Sequence, residues 1–201
     1  MRKALAPLLF LVALVPATRL VVRFAGNDLG VNPAETLQLE TGIWALRWLL
    51  ITLAITPLRR LSGWNRIIQY RRTLGLFAFF YATLHVLTYL VFDLSLAFGQ
   101  LLADVAKRPF ITLGFIAFVA MVPLAATSTR AAIRRLGRRW QALHRLIYVS
   151  AVFAALHYLW KVKVVTGDPI YYAAAVAALL GVRAWWFMKT AKSLASQPVK
   201  R

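Results

Sequence analysis

The sequence predicts an all-α integral membrane protein, a six-transmembrane-helix bundle forming a single domain over residues 1–201, and three observations carry that expectation. Hydrophobic residues make up 61% of the chain and aromatics 13%, and the mean hydropathy is +0.66, well above a soluble domain. The apolar residues gather into six runs, each near the ~20 residues that cross a ~30 Å hydrocarbon core. The 25 Lys and Arg outnumber the 6 Asp and Glu, and they fall between those runs. A formal charge of +19 is therefore read as a topology signal and not as a nucleic-acid surface. The chain has no cysteine, which excludes disulfides, thiolate metal sites and iron–sulfur ligation.

The six expected spans cover approximately 5–25, 43–58, 74–92, 110–126, 143–160 and 170–188. The first follows Met-Arg-Lys as a signal peptide would. Arg19 and Arg23 interrupt its far end, however, and no small-x-small cleavage site follows, so it is read as a span. Pro57, Pro109, Pro123 and Pro169 fall near span ends, where a missing backbone donor costs least, whereas Pro7 and Pro16 are placed to bend the first helix. Trp44, Trp48, Tyr158, Trp160, Trp185 and Trp186 lie near span ends and are expected in an interfacial aromatic belt. Gly75 and Gly114 are expected to allow close helix approach. No internal repeat is evident.

Orientation follows from the cations. The loop RRLSGWNRIIQYRR after the second run and TSTRAAIRRLGRRW after the fourth are rich in arginine, and the tail carries Lys189, Lys192, Lys200 and Arg201. On the other side lie GNDLGVNPAETLQLETG, a loop with Asp93 and Asp104, and KVKVVTGDP. The positive-inside rule then places both termini in the cytoplasm.

All three histidines lie in apolar segments: His85 in the third run, His144 and His157 in the fifth. At 1.5 Å per residue, His85 falls ~4 Å and His157 ~10 Å to the outer side of the midplane, with His144 ~10 Å to the inner side. His85 and His157 are thus neighbours in depth on separate helices. In one ideal helix His144 and His157 point to different faces, so a stack of two identical sites needs a bulge, kink or tilt. Ionisable groups inside spans usually mark a site. Two imidazoles on facing helices can close both axial positions of a haem iron, or they can hydrogen-bond helix to helix; the pair with a third histidine nearby favours haem. Zinc is disfavoured because three separated histidines form no compact ligand set. Arg47, near the outer end of the second span, could meet a haem propionate or snorkel to lipid phosphate.

The segments RRTLGLFAFFYATLHVLTY, KRPFITLGF, ATSTRAAIRRLGRRWQALHRLIY and ALHYLWKVK, in that order and spacing, resemble the haem-binding membrane subunits of the bacterial periplasmic methionine sulfoxide reductase system, within the ferric-reductase-like transmembrane group of cytochrome b type. The resemblance spans nearly the whole chain and is weakest at its ends. It implies haem b held by His85 and His157, with His144 a candidate ligand of a second haem. Four-histidine relatives carry another histidine about four turns earlier on the third helix; here that position is Arg71, so an inner haem would lack a matching ligand. The resemblance also implies FMN, and a quinol or a cytosolic flavin reductase as electron donor. No phosphate-cradling glycine loop is present, which leaves the arginine-rich inner loops, Arg71 among them, as candidates for a flavin phosphate.

Thirteen residues follow Met188, too few for a fused FAD and nicotinamide domain. Electrons are therefore expected to arrive from another molecule and to leave to one. The resemblance supplies the acceptor, a periplasmic molybdopterin enzyme that reduces methionine sulfoxide in oxidised proteins. The chain is expected to be the electron-transfer subunit of that system, not its catalytic subunit. The rivals are a proton-coupled transporter, which calls for buried carboxylates and inverted repeats, and a non-redox structural membrane subunit; both predict a colourless protein.

Overall fold

A computed structural model describes residues 2–162 and 168–195. Residues 163–167, within the segment KVKVVTGDP, lie outside the described residues, as do Lys200 and Arg201 of the tail and the side chain of Lys192. The described regular structure is entirely helical: α1 (Arg2–Ala25), α2 (Pro33–Ser62), α3 (Arg71–Thr88), α4 (Phe98–Lys107), α5 (Pro109–Ala126), α6 (Arg130–Leu136), α7 (Arg138–Leu143), α8 (Leu146–Lys161) and α9 (Asp168–Ala195). Among the described residues six helical stretches are long and apolar enough to cross a membrane, and the protein is a multi-span membrane protein. Leu11, Val21 and Phe187 are more than 60% exposed, as side chains facing lipid can be at no cost.

Helix α2 starts well before its apolar run. Asn32 accepts a hydrogen bond from the Glu35 N–H at 3.3 Å, Pro33 occupies the first turn and Glu35 sits at the positive end of the helix dipole. These capping groups convert part of the expected outer loop GNDLGVNPAETLQLETG into helix, and the extension carries Gln38 and Gly42 alongside His85. The same extension places Trp48 deeper than a span-end position. It is buried, with its ring 6.0 Å from that of Phe77 and 6.4 Å from Trp44. Trp48 is thus a core residue and not part of an interfacial belt.

Two departures from straight helices matter for the site. Helix α3 ends in a wide π turn over Tyr89–Asp93, and Ser95 and Leu96 adopt positive φ before α4. That amphipathic helix stands where the sequence suggested a loop. The fifth span is broken at His144–Arg145. There the Arg145 N–H bonds to the Ala142 carbonyl and the Tyr148 N–H to the Arg145 carbonyl, tight i to i−3 bonds that interrupt the α ladder.

Pro16 lies inside α1, and Tyr81 inserts its hydroxyl into the backbone beside it. In a straight helix the Ala17 N–H would donate to the Ala13 carbonyl. Here it donates instead to the Tyr81 hydroxyl at 3.0 Å, which in turn donates to the Ala13 carbonyl at 2.7 Å. Tyr81 is fully buried, and its hydroxyl joins two backbone groups on either side of the proline turn. Tyr81→Phe should therefore lower unfolding free energy by about 1–3 kcal/mol. A denaturation midpoint in detergent equal to the wild-type value would show that the hydroxyl is not what closes this gap.

The bundle is organised as two helix pairs. α2 packs on α3 and α5 on α8, with α9 against α8 and α2, and α1 outside α2. The pairs repeat one another in sequence as well as in space: Ala82-x-Leu84-His85-x-Leu87 recurs as Ala154-x-Leu156-His157-x-Leu159. The sequence thus holds a short internal repeat, hidden because only a few positions per pair keep their identity.

Candidate functional site: a histidine pair between two helix pairs

Each histidine ring is held in the same way. His85 Nδ1 lies 2.9 Å from the Gln38 carbonyl and His157 Nδ1 lies 2.6 Å from the Phe110 carbonyl, and both contacts span 47 residues. A carbonyl acceptor fixes the proton on Nδ1 and leaves the Nε2 lone pair available. A ring reaching the carbonyl of residue i on an α-helix must cross residue i+4, one turn on. Those residues are Gly42 and Gly114. A Cβ on Gly42 would meet His85 Nδ1 and Cε1 at 3.0 Å, and one on Gly114 would meet His157 Nδ1 at 2.8 Å. Both glycines are cradles for imidazoles. Gly75 is not: its nearest neighbour would be Thr52 Cγ2 at 3.6 Å, an ordinary contact.

The two rings stand 6.0 Å apart between centroids, with planes at 74°, and line one cavity between the helix pairs. Its walls are mostly apolar, with Leu46, Leu49, Ala117, Phe118 and Met121 among them. Among the described residues no three of His, Asp or Glu gather around a common point. A bare metal ion would therefore find two protein ligands here, whereas a haem brings four of its own. With metal–imidazole bonds of about 2 Å on each side, two facing rings joined through one metal atom stand about 6 Å apart, as these do. The donor set, the spacing and the glycine cradles all fit a haem with two axial imidazoles.

The profile described as "Ferric reductase like transmembrane component" matches residues 41–155, which contain His85 and His144. The protein-methionine-sulfoxide reductase heme-binding subunit MsrQ of Ralstonia nicotianae is 53% identical over 186 residues, covering 91% of this chain and 86% of the relative. The protein of the same name from Herminiimonas arsenicoxydans is 52% identical, covering 89% and 84%, and that from Azospira oryzae is 49% identical, covering 90% and 78%. The chain belongs to the MsrQ family of ferric-reductase-like membrane proteins. No solved structure matches it.

The other residues singled out in this MsrQ-family chain lie apart from the pair. The His144 ring stacks on Trp140 at 3.8 Å with its Nδ1 3.1 Å from the Trp140 carbonyl, at the arginine-rich end of the bundle. The chain's other two histidines are in the pair, so His144 faces no second imidazole. Arg71 starts α3, with its charge within reach of His144 and of Arg183. Arg183 is itself anchored to the Leu179 carbonyl at 2.7 Å and to the Leu53 carbonyl. Arg47 points toward α9: its Nε donates to the Tyr172 hydroxyl at 2.7 Å and its guanidinium lies 4.7 Å from the Trp44 ring centroid. The lining of the histidine cavity does not include Arg47.

Sequence reasoning found the histidines but missed Gly42, Gln38 and Phe110. One signal could have exposed them. The offset that carries His85 onto His157 also carries Gly42 onto Gly114 and Gln38 onto Phe110.

Proposed function

We propose that this chain is the membrane electron carrier of a methionine sulfoxide reductase system, with one haem b held by His85 and His157. The observation that carries this reading is the pair itself: two imidazoles across one apolar cavity, each with Nδ1 committed to a backbone carbonyl and Nε2 left for a metal. Relatives named as heme-binding subunits of protein-methionine-sulfoxide reductase support it. Haem supplies reversible one-electron chemistry when bound. Held by both His85 and His157, it would have no place left for an oxygen ligand, which favours electron transfer. The apolar walls keep water from the site, and the two carbonyls orient the imidazoles and raise their basicity as ligands.

The chain would lie in the bacterial inner membrane with its arginine-rich end and both termini in the cytoplasm. The pair sits toward the opposite, acidic end, in reach of a periplasmic molybdopterin enzyme that reduces methionine sulfoxide. Quinol or a cytosolic flavin reductase would deliver electrons at the arginine-rich end. There Arg71 and Arg183, beside His144, form a cationic group whose charge suits a flavin phosphate, so the FMN expected from the resemblance would dock on that side. His144 would act in electron entry; its lack of a facing imidazole argues for one haem over two.

The first test is the visible spectrum of the purified protein with and without dithionite. A bis-imidazole haem gives sharp reduced bands, and a colourless preparation would sink the proposal in favour of a transporter or a structural subunit. Direction is tested in oriented vesicles. Reduction by quinol or a flavin reductase, followed by reoxidation that needs the molybdenum enzyme on the acidic face, is expected; a requirement for that enzyme on the arginine-rich face would reverse the topology.

A further inference from the structure

The polar groups of the histidine cavity are sorted along its length. From Ser150 to Lys161 on α8 is ~16 Å. At the acidic end Gln38, Tyr89, Tyr158 and Lys161 reach the lining, with Leu101 of α4 also part of it. At the other end the lining is apolar except for Ser150, whose hydroxyl is fully buried without a hydrogen-bond partner. Among the described residues Lys161 is the one charged side chain that lines the cavity.

Two acids near this mouth already have partners, and Asp168, close to Tyr158, makes no ion pair with Lys161. Asp104 accepts from the Tyr89 hydroxyl and pairs with Arg108 at 3.3 Å, and Asp93 accepts from Gln38. Among the described residues the ion pairs are Arg23–Asp28 and Arg108–Asp104, so no described carboxylate neutralises Lys161. Its charge is close enough to act on both imidazoles.

A haem carries two propionate carboxylates at one edge and only apolar groups at the other. Placed in this cavity, it must choose which end receives the carboxylates. Set against a single neutral hydroxyl in an apolar wall, a carboxylate loses its hydration with little return. Set at the open mouth, it keeps water and gains an ammonium.

We propose that Lys161 is the counter-ion of the haem propionates and fixes the macrocycle in one orientation, carboxylates toward the acidic end of the bundle. This rests on the reading of His85 and His157 as haem ligands. It gives Lys161 a positioning role separate from iron ligation. It also turns the propionate edge toward the face where the electron acceptor would dock.

The test is titration of the full-length protein, prepared free of haem, with haem b and with haem b dimethyl ester, whose carboxylates are blocked. Wild type should prefer haem b by roughly five-fold, the weight of one partly exposed ion pair. Lys161→Ala should lose that preference while binding the ester as tightly as wild type, and Lys161→Arg should keep it. Ser150→Ala should keep it as well. A Lys161→Ala protein that still prefers haem b would overturn the inference and leave Lys161 snorkelling to lipid phosphate. Loss of preference in Ser150→Ala instead would mean the opposite orientation. Wild type that takes up neither porphyrin would refute the histidine-pair reading itself.

Discussion

Replacing either His85 or His157 by alanine is expected to remove the haem absorbance of the purified protein, with haem content per polypeptide falling at least about tenfold. The two variants should be equally severe, because the rings are held by equivalent contacts on equivalent helices. Neither change should unfold the bundle. Within their helices the Gln38 and Phe110 carbonyls are accepting positions of the ordinary i to i−4 ladder, so loss of the imidazole removes a second hydrogen bond worth about 1 kcal/mol. Helical circular dichroism should therefore be retained while the reduced spectrum disappears. His144→Ala is the contrasting case. Its ring packs on Trp140 at the other end of the bundle, so the haem signal should survive while reduction by quinol or a flavin reductase slows. Full haem content in His85→Ala would eliminate the axial pair. Loss of the whole signal in His144→Ala would move the principal haem to the arginine-rich end.

The second large effect is expected from a change that touches no ligand. Gly114→Ala puts a methyl group 2.8 Å from His157 Nδ1 and 3.2 Å from Cγ, closer than real Cβ contacts allow. The ring must rotate or withdraw from the Phe110 carbonyl, which takes both orientation and tautomer from the ligand. Losing a hydrogen bond that orients a ligand in this way costs about 10–100-fold in metal-site affinity. Alanine is meanwhile a better helix former than glycine by up to about 1 kcal/mol, so the haem-free protein should be no less stable. The diagnostic result is haem loss without loss of fold. Gly42→Ala should act in the same direction more weakly, since its contacts with His85 begin at 3.0 Å. Gly75→Ala should leave haem content unchanged, as Thr52 Cγ2 would stand 3.6 Å away. Equal haem content in Gly114→Ala and Gly75→Ala would show that the imidazoles are not positioned by close approach to the helix backbone.

The sequence by itself determined the class of this protein and singled out His85 and His157 as its candidate ligands. Six apolar runs separated by arginine-rich and acidic loops dictate a bundle of membrane helices, because a backbone in hydrocarbon must satisfy its own hydrogen bonds. Helical rise alone put His85 and His157 at similar depth. The capping of α2, the break at His144–Arg145 and the helix α4 were less legible, since each depends on a few local bonds that hydropathy does not register. What only the tertiary structure decided is the environment of the imidazoles. Which carbonyl holds each Nδ1, why Gly42 and Gly114 must lack a Cβ, and why Arg47 turns to Tyr172 all depend on which helix faces which. Hydrophobic periodicity fixes how deep a residue lies and whether its helix is buried. It does not fix the rotation of one membrane helix against its neighbour, which is set by close packing of small residues and by interhelical hydrogen bonds between positions far apart in sequence.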